Sequence, residues 1–120
     1  MSNNLVEATE ANFDDLLENH PFMVLDFWAE WCGPCKAFEP IFEQVAAEFP
    51  DITFVKVNVD KETALAQEFA VRSIPQLVIM RDKVALFSES GSLPKTALKD
   101  LLVQAQSVDM TKVHQDLGDA

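Results

Sequence analysis

What the sequence has little of narrows its function before any motif is read. Basic residues are scarce: nine lysines and arginines stand against twenty aspartates and glutamates, for a formal net charge of −11. A field of that sign repels phosphate backbones and anionic headgroups, which argues against nucleic-acid binding and against a place on a membrane surface. Long apolar runs are missing too. No segment approaches the roughly 20 apolar residues of a membrane span. The opening "MSNNLVEATEANF" has no basic stretch leading into an apolar core, so a cytoplasmic location is expected. The glycines number three and make no dinucleotide fingerprint, so neither flavin nor nicotinamide is expected to be held by the chain. There are two cysteines and two distant histidines, His20 and His114. Two cysteines are too few for a disulfide framework, and with no second cysteine pair and the histidines so far from the first, no zinc site or other metal is expected.

What is present suffices for one domain. The 120 residues are 48% hydrophobic, and a chain of this size buries about two-thirds of the surface its unfolded form exposes. Leu5 and Val6 suggest a short strand, and Thr9 or Asn12 a cap for a helix with Phe13, Leu16 and Leu17 on one face. "PFMVLDFWA" is apolar at both parities, as a central strand covered on both sides would be. Phe38, Ile41, Phe42, Val45 and Phe49 then fall at helical offsets of three, four, seven and eleven. Pro40 interrupts that stripe without shifting its register, so it should kink the helix and not end it. "ITFVKVNV" reads as a strand and "KETALAQEFA" as a short helix with Ala64, Leu65 and Phe69 inward. "QLVIM" and "VALFS" form a hairpin around Arg81, Asp82 and Lys83, and Ser92 or Pro94 opens a final helix carrying Leu98, Leu101, Leu102 and Ala105. The order β-α-β-α-β-α-β-β-α predicts an α/β fold, a mixed sheet between two helical layers.

The two cysteines sit in "WCGPCK", between a predicted strand and a predicted helix. A C-x-x-C alone is a weak signal; its place at a helix start adds meaning. Unpaired N–H groups and the positive end of the helix dipole favour thiolate over thiol at Cys32, which makes Cys32 the expected nucleophile. Gly33 allows a tight turn, Pro34 suits the first helical turn, and Cys35 falls close enough to close a small disulfide ring. Cys35 should be the more buried, resolving thiol.

At this point the sequence resembles the thioredoxin family. The resemblance runs from about Leu5 to Ala105 and rests on "VLDFWAEWCGPCKAFEP" as a unit, on "VKVNVD", on "VRSIPQL" and on Gly91 in "SESGSL". It implies a single domain over residues 1–107, a thioredoxin-like fold, and a tail over 108–120 that is a short helix or disordered. It also implies a protein-disulfide reductase that cycles a redox-active Cys32–Cys35 disulfide with no bound cofactor. Cys32 would attack a substrate disulfide and Cys35 would release the product. The implied partners are an NADPH-dependent flavoprotein thioredoxin reductase and disulfide-containing target proteins, and a monomer is expected. An oxidant or isomerase on the same fold is the competing reading, disfavoured by Gly33-Pro34; a binding module without turnover is another, disfavoured by the presence of both thiols.

The resemblance further gives Asp26 a role as a buried proton carrier behind Cys35, with Lys56 beside it. Desolvation inside a doubly covered strand should raise the Asp26 pKa, with a nearby ammonium opposing it. Ile74-Pro75 corresponds to a cis-proline loop lying against the disulfide. The backbone of Ile74 would pair with an extended substrate segment, and Trp31, Gly33, Pro34, Pro75, Gln76, Gly91 and Ser92 would line the groove. The chain departs from the family at Gln76, where threonine is common, and at Asp82-Lys83, where Asn-Gly is common and a turn of positive φ would be strained. His20 and the Met110, Val113 and Leu117 stripe of the tail carry no function in this reading. His20 is expected at the surface, and the stripe on one side of a helix stopped at Gly118.

Overall fold

A computed structural model describes residues 4–118; residues 1–3 and 119–120, the outer ends of the expected domain and tail, lie outside it. The elements are β1 (Leu5–Glu7), α1 (Phe13–Asn19), β2 (Phe22–Trp28), α2 (Gly33–Glu48), β3 (Thr53–Asn58), α3 (Thr63–Glu68), β4 (Gln76–Arg81), β5 (Val84–Ser90), α4 (Lys95–Gln106) and α5 (Met110–Asp116). The strands form one sheet in the order β1-β3-β2-β4-β5. β1, β3 and β2 are parallel; β4 runs antiparallel to β2, and β5 antiparallel to β4. This is the expected mixed sheet, with β2 at its centre. No helix among the described residues is long and apolar enough to cross a membrane.

Side chains of a strand alternate between the two faces, so β2 feeds two cores. Val24 packs with Phe38, Phe42, Val45, Phe54, Leu77, Ile79, Leu98 and Leu102 under α2 and α4. Met23, Leu25 and Phe27 pack with Phe13, Leu16, Val55, Val57, Leu65 and Val78 under α1 and α3. That double burial explains the unbroken apolar run, and parity puts Asp26 on the α2 and α4 face. α2 passes through Pro40, and its expected stripe is buried at Phe38, Phe42 and Val45. The hairpin turn holds Asp82 at φ 51° and Lys83 at φ 70°, the left-handed region anticipated for it.

Several local expectations fail. Ala64 is exposed, while Leu65 alone anchors α3 in the core; the backbone N–H of Ala64 donates to Glu10 Oε2 instead. His20 is half-buried, its Nδ1 3.0 Å from the hydroxyl of buried Thr53, not a free surface residue. Asn12 holds the cap position of α1, but its side chain accepts from Thr9 N, outside the helix. Beyond α4 the tail takes the first of its two expected forms, a short helix. The tail folds back as α5, capped by Asp109, whose side chain accepts from Lys112 N. Of its expected stripe Met110 is buried, Val113 half-buried and Leu117 exposed. Arg81 ties the junction down by donating to the carbonyls of Ala105, Gln106 and Val108.

Candidate active site

The end of β2 and the start of α2 place the cysteines. Cys32 is the N-cap of α2, and its sulfur accepts the backbone N–H of Cys35 at 3.2 Å. Pro34 fits the first turn, where a missing N–H costs nothing. Cys32 and Cys35 are joined as a disulfide across a Cα–Cα distance of 5.3 Å. Both residues are almost wholly covered, at 4% and 2% exposure, so the expected contrast in burial is slight in this oxidised state. Gly33 does not carry the turn as expected. Its backbone is outside the left-handed region, and a Cβ there would meet nothing within 4 Å.

Two loops close over the pair. The Ile74-Pro75 bond is cis, and the Ile74 carbonyl oxygen lies 3.9 Å from Cys32 Sγ. Gly91, at φ +110°, donates its N–H to the Pro75 carbonyl at 2.7 Å and so fixes the second loop against the first. Ser92 follows it at the surface. Trp31 stands 72% exposed, far too open for a core residue of its size. Its Nε1 donates to Asp60 Oδ2 at 2.8 Å, which lays the ring at a set place on the surface. Gln76 is half-buried at the head of β4, and its amide donates to Ser88 Oγ on β5 at 2.7 Å.

Behind this surface, Asp26 is 1% exposed, and neither carboxylate oxygen finds a hydrogen-bond partner among the described residues. Burial pushes its pKa up from 3.8 to about 7, with the Lys56 ammonium pulling it down and the Glu39 carboxylate adding to the rise. Asp26 and Lys56 are register partners on β2 and β3. The Lys56 ammonium nevertheless bonds to Glu39 Oε2, and it lies 4.4 Å from the centroid of the Trp28 ring. Among the described residues no group of three His, Cys, Asp or Glu side chains is arranged to hold a metal ion.

The comparisons agree with this geometry. The family model described as Thioredoxin matches residues 4–104. A putative thioredoxin 2 from Streptomyces coelicolor is 45% identical over 114 residues, covering 95% of this chain and 85% of that one. A thioredoxin from Mycoplasmoides gallisepticum is 44% identical over 95 residues, covering 79% of this chain and 95% of that one. Among solved structures, a point-mutant thioredoxin from Halobacterium salinarum superposes with a TM-score of 0.81 at 32% identity, covering 91% of this chain and 97% of that chain.

The chain belongs to the thioredoxin family. Its function is accordingly that of a protein-disulfide reductase, a thiol–disulfide oxidoreductase, and its cysteine pair stands at disulfide distance. The thioredoxin match stops at residue 104, so α5 is an addition beyond it. Sequence reasoning missed two side chains at this thioredoxin site. Asp60 was visible as the last letter of "VKVNVD", yet nothing local links it to an indole 29 positions earlier. Glu39 lies one helical turn after Cys35, a spacing that signals a shared face; its partner on β3 is not signalled at all.

Proposed function

We propose that this thioredoxin-family chain reduces protein disulfides by attack through Cys32 and resolution through Cys35. The hydrogen bond from Cys35 N–H to Cys32 Sγ carries the assignment. A sulfur at the N-cap of a 16-residue helix, already accepting one of that helix's free N–H groups, is the one whose negative charge the backbone stabilises. In the reduced protein the Cys32 thiolate attacks one sulfur of the target. An S–S bond forms between protein and target, and the first target thiolate leaves. Cys35 then gives its proton to the Asp26 carboxylate, attacks Cys32 Sγ and expels the second target thiolate. Two electrons pass to the target, its two thiolates take up one proton from Asp26 and one from solvent, and the Cys32–Cys35 disulfide remains.

Asp26, with Lys56 beside it, is the proton carrier in this reading. Its burial supports the role, because a carboxyl group titrating near neutrality can both take and return a proton. The target segment lies extended along the Ile74 backbone, in a groove formed by Trp31, Gly33, Pro34, Pro75, Gln76, Gly91 and Ser92. An NADPH-dependent flavoprotein thioredoxin reductase returns two electrons to the disulfide, so that the chain carries electrons to its targets with no bound cofactor. It does so as a cytoplasmic monomer, with one catalytic domain over residues 1–107 and an appended tail, and in the cytoplasm it contributes to redox homeostasis.

Trapping distinguishes the two sulfurs. Cys32→Ser is expected to abolish disulfide reduction, and Cys35→Ser to accumulate mixed disulfides through Cys32, detected by mass spectrometry. Target attached through Cys35 in the Cys32→Ser protein at the normal rate of attack would reverse the assignment.

A further inference from the structure

Lys56 is the cross-strand neighbour of Asp26, and an ammonium there has two carboxylates to choose between. It bonds to Glu39, and both Asp26 oxygens are left without a partner. The choice has a physical basis. Glu39 is 43% exposed at its side chain and keeps much of its hydration, whereas pairing with Asp26 would require the ammonium to follow the carboxylate into the core. The Trp28 ring beneath the ammonium favours the outer position as well. On that outer side is an open pocket of about 180 Å³, lined by Leu5, Val6, Glu7, Trp28, Glu43 and Lys56. The charged groups around Asp26 and this pocket are therefore Lys56 of β3, Glu39 and Glu43 of α2, and Glu7 of β1.

We infer that Glu39 is a positioning residue for the proton step: its carboxylate draws the Lys56 ammonium outward, over Trp28, and so limits the positive charge that Asp26 meets. This rests on the reading of Asp26 as proton carrier and adds to it a residue on the same helix as Cys35, one turn on. Without Glu39 the ammonium would turn toward the bare Asp26 carboxylate, and a negative charge would leave the neighbourhood at the same time. Both changes favour ionised Asp26. The opposing arm is Lys56, whose removal favours the protonated form.

NMR titration of the Asp26 carboxyl carbon in the full chain reads this directly, beside the pH profile of mixed-disulfide release from a peptide carrying one disulfide. In Glu39→Gln the Asp26 midpoint is expected to fall by about half a unit to one unit; in Lys56→Met it should rise. Glu39→Asp, which keeps the charge, should stay near the parent. A midpoint that is unmoved or raised in Glu39→Gln overturns the inference. Asp26→Asn separates it from the reading beneath. If that substitution leaves the release profile unchanged, Asp26 carries no proton, and the proton-carrier reading fails even where the titration has shifted as expected.

Discussion

At the scale of single residues, the role proposed for Asp26 sets stability against chemistry. Its folded pKa of about 7 lies above the value of 3.8 for the free side chain, so the folded state binds the proton more tightly than the unfolded chain does. Relative to a neutral side chain, its contribution is most favourable below pH 3.8, declines as pH rises from there to about 7, and is level above that. At about 1.4 kcal/mol per pH unit, the swing across this window is roughly 4 kcal/mol. Asp26→Ala is therefore expected to raise stability at pH 8 more than at pH 4, less a small cost for the vacated volume. On the proposed mechanism reduction should slow, because Cys35 would lose its proton acceptor. Denaturant melts at the two pH values and single-turnover rates check both effects; equal destabilisation at the two pH values with unaltered rates would mean that Asp26 is neither desolvated nor a proton carrier. A charge inside "VLDFWAE" was legible because burial of both strand faces follows from the run itself. Glu39 was not, since its meaning lies in a lysine 17 positions away on another element.

Among the elements, α5 lies beyond the family match and is expected to leave the chemistry unaltered. Met110 is buried and Arg81 donates to the carbonyl of Val108, and these hold the tail to the domain. Arg81 closes the end of β4 opposite Gln76. At the rise of an extended strand, this puts the docking point about 17 Å along β4 from the head that adjoins Pro75. Removing residues 108–120 should cost about 2 kcal/mol, mainly from Met110, and leave the reduction rate nearly unchanged. A thermal melt and a turnover assay on the truncated protein test this; lost activity in a folded protein would place the tail at the groove or at a partner. The inward face of a long helix was legible in the sequence, and that of the shortest one was not. The stripe from Phe38 to Phe49 repeats over about three turns, and α2 buries it at Phe38, Phe42 and Val45. α3 has six residues, too few for periodicity to choose a face, and so Ala64 was assigned inward but lies exposed. The hairpin was legible from its two apolar strands around Arg81, Asp82 and Lys83, and the positive φ found at Lys83 is what the family's Asn-Gly turn implied.

For the molecule as a whole, the net charge of −11 becomes a question about targets. Among the described residues four cations are held in ion pairs: Lys56 with Glu39, Lys83 with Glu18, and Lys95 and Lys99 with Glu48. What solvent meets is chiefly acidic, and a field of one sign guides encounters before any groove contact forms. A cationic disulfide substrate should thus be reduced faster at low salt, and an anionic one more slowly. Between about 0.01 M and about 1 M salt the screening length shrinks from about 30 Å to about 3 Å. Over that range the second-order rate with a basic peptide disulfide is expected to fall by about tenfold or more, and the rate with an acidic peptide of the same length to rise. Stopped-flow traces following Trp31 and Trp28 fluorescence supply both rates. Opposite slopes would show that the acidic surface selects partners at the encounter step. Flat lines for both peptides would assign that surface to solubility alone, and leave target choice to the groove around Cys32.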